Sequence, residues 1–320
     1  MAGLVSLFGH DPLTYQPHAV HGIGRTYVET NCYADVIIEL LHARGDEPLA
    51  ALGSTVRQDF EGDQWTFFKP LPEDLERLFG VDIHEMQPYR PLPVQVSELI
   101  GHDRTVIVEF DAWYLPDTVA TSYRREHVKT SVAVEAINPE GEVLRYYHNT
   151  SLHELRGDDY RGVFRLAGSW SDDVLPPYTE LVRFDAGPRL AGPDLRAAAR
   201  SILRLHLDRV PSGNPFDRFG ERLALDLPAL LNGDANEYHA YAFATVRMVG
   251  AGFELCASHV DWTLGADGRR ASAALRRLVD ESKVLGFKLA RRRPFDPDPI
   301  VRALGDAWSE GFSALDDVVR

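Results

Sequence analysis

The apolar positions switch between two periods along the first half of the chain. Tyr33, Val36, Ile37, Leu40 and Leu41 recur at i, i+3, i+4, i+7 and i+8. That spacing predicts a helix with one apolar stripe, ending before Gly45. Residues 105–110 (TVIVEF) form a compact β-branched run bounded by His102-Asp103 and Asp111, which reads as a buried strand. Two strand-like segments, 128–137 and 142–147, flank Asn138-Pro139-Glu140-Gly141. Pro at the second position and Gly at the last suit a turn, so the two segments predict a hairpin.

A linker-like stretch at 185–193 carries two Gly-Pro pairs, and beyond it Ala, Leu and Arg dominate. Leu195, Ala198, Ala199, Ile202, Leu203 and Leu207 fit a helix that stops before Pro211. Residues 237–262 are apolar enough for a buried helix, and 270–290 and 299–319 read as two more. The expected architecture is α+β over residues 1–185, followed by a mostly helical domain over 190–320.

Composition changes this picture little but narrows the function classes. At roughly 100–200 residues per domain, a length of 320 residues agrees with two domains. With 34 Lys+Arg against 48 Asp+Glu, the net charge is −14, which argues against non-specific binding to nucleic acid or to an anionic membrane. No apolar run approaches the roughly 18 residues needed to span a bilayer. Residues 1–10 lack a basic segment followed by an apolar stretch, so a secretory signal is not expected. The two cysteines, Cys32 and Cys256, make no disulfide framework and are expected as reduced thiols in the cytoplasm.

Cys32 lies in Glu29-Thr30-Asn31-Cys32-Tyr33. Thr30 or Asn31 is a good N-cap and places Cys32 in the first helical turn. Unpaired backbone N–H groups there favour a thiolate and face the oxygen that would turn anionic if the sulfur attacked a carbonyl. The competing reading is a small buried hydrophobe, and that reading suits Cys256, beside Phe253 and Leu255. A nucleophilic thiol needs a base. His127 opens the first hairpin strand, and Asn149, in Tyr146-Tyr147-His148-Asn149-Thr150, is the candidate to orient it. If 139–141 form a three-residue loop with Gly141 as a bulge, paired numbers sum to 280 and His127 faces His153. Asn149 then lies four residues away, roughly 13 Å at strand rise. Ser151, His153 and Asp111 therefore stay open as orienters.

The strings Thr30-Asn31-Cys32-Tyr33, Asp59 to Lys69 (DFEGDQWTFFK), Leu115-Pro116-Asp117-Thr118, His127-Val128-Lys129-Thr130 and Tyr147-His148-Asn149 resemble a bacterial family of uncharacterised proteins. That family is in turn similar to the N-terminal domain of the butirosin biosynthesis acyltransferase, a papain-like cysteine transferase/peptidase fold. The resemblance covers residues 20–185. It implies transfer of an acyl or aminoacyl group from the phosphopantetheine thioester of a carrier protein, through acyl-Cys32, to a small-molecule amine acceptor, with no bound cofactor. His127 would be the base and Asn149 its orienter, a Cys-His-Asn type triad. Papain-like enzymes carry a Gln shortly before the Cys for the oxyanion hole, and here Thr26 stands beside Arg25 instead. The donor would then be Arg25, Thr26 or His21, or turnover would be weak or absent, which keeps thioesterase, peptidase and non-catalytic carrier- or peptide-binding readings alongside the transferase.

Other features carry two readings each. Arg269, Arg276 and Lys283 recur on one helical face, either to dock an acidic carrier protein or as a solvated face. The segment 59–69, with Trp65, either walls an acyl pocket or pins a loop to the core. His18 and His21 lack the spacing of a metal motif, so no metal site is expected. No phosphate loop, dinucleotide fingerprint or Gly-x-Ser-x-Gly elbow occurs.

Overall fold

The computed structural model describes residues 3–166 and 175–320. The chain runs through β1 (Val5–Ser6), α1 (Cys32–Ala43), a small hairpin of β2 (Phe60–Glu61) and β3 (Gln64–Trp65), α2 (Pro72–Phe79), β4 (Asp82–Met86), α3 (Leu92–Ile100) and β5 (Thr105–Asp111). A meander follows, made of β6 (Lys129–Asn138), β7 (Val143–His148) and β8 (Ser151–Arg156), then α4 (Asp158–Val163) and β9 (Thr179–Arg183). The remainder is helical: α5 (Gly192–Leu207), α6 (Pro215–Asn232), α7 (Ala235–Ala242), α8 (Met248–Leu264), α9 (Arg269–Ala290) and α10 (Asp298–Val319).

These elements form two compact units, α+β and helical, and the chain crosses between them more than once. Residues 23–31 and 49–71 belong to the helical unit with 190–320, while 1–22, 32–48 and 72–189 make the other. The reason is aromatic. Tyr27, Phe60 and Trp65 are buried in the core of the helical unit, and burying a large side chain contributes about 1.5–3 kcal/mol. The linker-like stretch at 185–193 therefore marks the last crossing rather than a single boundary.

The α+β unit is built on an antiparallel sheet of order β4-β9-β5-β6-β7-β8, with β1 added beside the far end of β6. Helix α1 packs on β6 and β7 from one face. From the other, α3 and α4 close a core of Val96, Val106, Val108, Phe110, Val132, Val134, Tyr146 and Tyr160. The alternation of β5 and β6 thus sends one apolar set to each face.

Register departs from the sequence expectation at two places. Ala133 pairs with Tyr147 and Val134 with Tyr146, so numbers sum to 280 as expected, but from Ala136–Arg145 to Asn138–Val143 they sum to 281. A bulge at Glu135 absorbs the extra residue, and the turn is one residue longer than expected, with Gly141 N–H donating to Asn138 Oδ1 at 2.9 Å. Strand β7 then stops at His148. Asn149 takes a φ of 49°, which Asn tolerates better than most residues, and the chain folds back so that His153 pairs with Tyr146. His153 is consequently not opposite His127.

In the helical unit, the helix expected over 237–262 is present and continuous, with one irregular turn inside it. That π turn, Phe243–Arg247, joins α7 to α8. Helix α6 was not legible in the sequence. Its start is set by Asn214, whose side chain accepts from Phe216 N–H at 3.0 Å, and by Pro215 in the first turn. Cys256 is fully buried in this core, and burial pushes its thiol up to about 12, against a hydrogen bond from Thr55.

Candidate functional site

Cys32 is the first residue of α1 and is half-buried. Its sulfur accepts from the Ser131 backbone N–H of β6 at 3.5 Å. The next residue, Tyr33, fixes the same helix end to β9 through a 2.7 Å bond from its hydroxyl to Glu180, which also accepts from Tyr178 at 3.1 Å. Burial, then the Glu180 charge, raises the Tyr33 phenol well above its ordinary value, so it remains a donor. Ser131 pairs with Glu109, and Glu180 with Ile107. The thiol and these side chains therefore share one face of the sheet.

His127 lies two residues before β6, where Ala112 N–H donates to Val128 O at 2.8 Å. Its Nδ1 is 2.6 Å from Asp111 Oδ2. Its ring stacks on Trp113 with centroids 4.6 Å apart and planes inclined by 7°. Asp111 is itself held, because its Oδ1 accepts from Trp113 N–H at 3.0 Å. A carboxylate on Nδ1 assigns the proton to that nitrogen and leaves Nε2 as the basic position. The imidazole is 63% exposed, and it opens onto a cleft of about 290 Å³ lined also by Glu109, Lys129, Arg165 and Tyr178. Lys129 and Glu109 are paired at 2.8 Å. Burial draws the Arg165 guanidinium below its ordinary value, with Asp111 opposing.

Cys32 and His127 lie at two points beside β6, the thiol at Ser131 and the imidazole before Lys129, and they are not in hydrogen-bond contact. Ser131, which touches the sulfur, is two residues from Lys129, the partner of Asp111, or about 6.6 Å along the strand. Among the described residues no imidazole lies within hydrogen-bond distance of the thiol. Asn149 does not meet His127; its amide sits 3.5 Å from His148 Nδ1 in the β7–β8 turn. Asp111, left open as an orienter in the sequence, holds the imidazole instead.

Arg25 and Thr26 belong to the helical unit, where Thr26 and Tyr27 N–H groups donate to the Glu254 carboxylate at 2.6 and 2.9 Å. Trp65 is 2% exposed and packs on Phe60, Phe216 and Phe253, so the segment 59–69 is pinned to the core of the helical unit. Asn31 donates to Phe68 O at 2.6 Å within that unit. On α9, Arg269, Arg276 and Lys283 are all exposed, and Arg276 is paired with Asp261 at 2.6 Å. His21 is buried between Glu39 and Asp35 of α1, 3.3 Å from the latter.

One constellation escaped the sequence reading. On the opposite sheet face, His148 Nδ1 meets Asp117 Oδ2 at 2.5 Å, and its Nε2 meets Thr130 Oγ1 at 2.8 Å. Asp117 also accepts from the Tyr146 hydroxyl at 2.5 Å. Burial alone would raise the Asp117 carboxyl, but the bond and charge of His148, with His153 and Tyr146, hold it below the usual carboxylate value. The order hydroxyl, imidazole, carboxylate is that of a nucleophilic triad. With His148 1% exposed and Thr130 buried, it instead ties β6, β7 and the 116–118 turn together. Only the alternation of Tyr146 and His148 along one strand could have signalled it.

An antiparallel α+β unit bearing a helix-start thiol, followed by a helical unit, is the class of protein this structure defines. Residues 16–184 match the DUF1839 N-terminal domain and residues 193–317 the DUF1839 C-terminal domain, and the chain belongs to this family. No curated protein matches it.

Proposed function

We propose that the protein is a cysteine-dependent acyltransferase of papain-like fold, with Cys32 as nucleophile, His127 as general base and Asp111 as the residue that orients it. The observation that carries this reading is the 2.6 Å Asp111–His127 bond, on a ring stacked against Trp113, at the start of the strand whose Ser131 N–H bonds the Cys32 sulfur. The donor would be the phosphopantetheine thioester of an acyl or aminoacyl carrier protein and the acceptor an amine, with no resident cofactor, in the cytoplasm. Among the described residues no helix is long and apolar enough to cross a membrane.

In the first half-reaction His127 Nε2 takes the Cys32 proton, the thiolate adds to the thioester carbon, and the pantetheine C–S bond breaks. The leaving thiolate receives that proton. In the second, the amine adds to acyl-Cys32 and loses a proton to His127, which returns it to the departing Cys32 sulfur. The Ser131 N–H beside the sulfur stabilises its negative charge. Asp111 keeps Nδ1–H in place and offsets the charge of the imidazolium. For these proton transfers the sulfur and the ring must approach one another when the acyl donor binds.

The spacing between thiol and imidazole favours a second reading, a carrier-binding module without turnover. Intact-mass spectrometry after mixing with an acyl-loaded carrier separates the two. The transferase reading expects an acyl adduct that Cys32→Ala abolishes and Cys256→Ala retains, and that forms at least about a hundredfold more slowly in His127→Ala. Carrier binding with no adduct on Cys32 under any loaded carrier overturns it.

A further inference from the structure

A separate groove lies within the helical unit. The tip of the β2–β3 hairpin, α6, α7 and the π turn enclose a cavity of about 490 Å³ lined by Asp63, Gln64, Arg222, Asp226, Glu237 and Tyr241 over a floor of alanine and leucine. A second cleft, about 390 Å³, shares Gln64 and Ala244 with the first and is walled by Trp65, Phe67, Phe243 and Met248. The shared residues make one groove with a charged end and an aromatic end. Phe67 and Phe243, at 48% and 45% exposed, present ring surface to solvent at the latter.

Three observations specify the ligand chemistry. The charged end carries three carboxylates against one guanidinium. Arg222 is committed to Asp226, bonding both its oxygens at 2.8 and 2.9 Å, which leaves Asp63 and Glu237 as surplus negative charge. The Tyr241 hydroxyl has no partner within hydrogen-bond geometry, and burial, then the Asp226 charge, raises its phenol far above the ordinary value against Arg222 and Thr245, so it stays protonated and able to donate. Finally, the π turn presents Ala244 and Thr245 on the same wall as Tyr241 of α7, and the Thr245 hydroxyl donates to Tyr241 O at 2.6 Å. Such turns insert one residue into a helix and recur at binding sites.

We infer that this groove binds a small organic ammonium compound: the cation between Asp63 and Glu237, an oxygen acceptor on the Tyr241 hydroxyl, and an aromatic or alkyl body across Phe67 and Phe243. Carboxylates attract the charge, ring faces take both the apolar body and the edge of the cation, and an anionic ligand is rejected by the surplus carboxylates. The inference does not rest on Cys32.

Isothermal titration calorimetry on the full chain with L-phenylalaninol tests it, because that probe carries the ammonium, the oxygen and the ring. N-acetyl-L-phenylalaninol, which keeps the hydroxyl and the ring but replaces the ammonium by a neutral amide, is the control. The expected result is binding of phenylalaninol that weakens severalfold on raising salt to about 0.5 M, and at least about tenfold weaker binding of the acetylated control. Asp63→Asn with Glu237→Gln, both at exposed positions, weakens the amine about tenfold with circular dichroism unchanged, and Cys32→Ala leaves its affinity intact. Absence of binding, equal affinity for the acetylated control, or unaltered binding by the double variant overturns the proposal. The salt and control arms need no variant and decide it even if the substitutions disturb the fold.

Discussion

Two carboxylates flanking the central strands do opposite work at the level of single side chains. Asp111 meets a largely exposed imidazole, so its pairing with His127 adds less than about 1 kcal/mol to stability, and its effect is on ring orientation. Asp111→Asn is expected to leave the urea midpoint nearly unchanged while slowing acylation of Cys32 by about 10²-fold or more, because an amide permits the wrong tautomer. Equal rates in the two proteins would remove Asp111 from the site. Asp117 is buried and its carboxyl is depressed by His148. A depressed carboxylate contributes stability above the ordinary value of about 3.9, and that contribution is lost as pH falls through the lowered value, where the unfolded chain binds more protons. Urea midpoints between pH 2 and 6 should therefore fall below about pH 4 in the parent. In Asp117→Asn the fall should be shallower, from a lower neutral-pH midpoint. An acid limb as steep in the variant would assign the pH dependence to other groups.

The bulge at Glu135 sets the register of the meander. Its fully buried carboxylate accepts from Ser6 Oγ, Phe8 N–H and His10 N–H on one oxygen, and from the Tyr147 hydroxyl at 2.8 Å on the other. Leu7 N–H donates to its backbone carbonyl at 2.7 Å. One inserted residue thus aligns β1 and shifts the turn. Glu135→Ala leaves these donors unmatched and is expected to cost at least about 3 kcal/mol, read as a shifted denaturation midpoint with faster amide exchange at Phe8 and His10. A shift under about 1 kcal/mol would make the buried carboxylate incidental. This element also shows what the sequence could convey. Strands 105–111 and 129–138, helix α1 and the long C-terminal helices were legible because each buries a periodic apolar set of its own. The bulge, the β7–β8 turn and the π turn were not, because each interrupts the period locally, and the bulge answers to partners more than a hundred residues away. The site divides in the same way. Cys32 and His127 carry local signals, whereas the Asp111–His127 pair exists only through the β5–β6 register.

Across the whole chain, the aromatic segments at 23–31 and 49–71 make the helical unit discontinuous in sequence. Trp65 and Phe60 sit among Phe216, Phe219 and Phe253, Gln58 closes on Gly252, and Arg218 binds Asp59 and the Phe60 carbonyl. Residues 190–320 alone would lose all of these. Removing two large aromatic side chains costs about 3–5 kcal/mol each when each is fully buried, a sum comparable to the 5–15 kcal/mol total stability of a domain. A fragment of residues 190–320 is therefore expected to keep helical far-ultraviolet circular dichroism, bind a hydrophobic dye and melt without a cooperative transition. The decisive comparison adds back residues 49–71 through a flexible linker, which should restore a sharp melt and quench dye binding. Cooperative melting of the bare 190–320 fragment would show that the helices suffice and that the aromatic segment is a passenger on their surface.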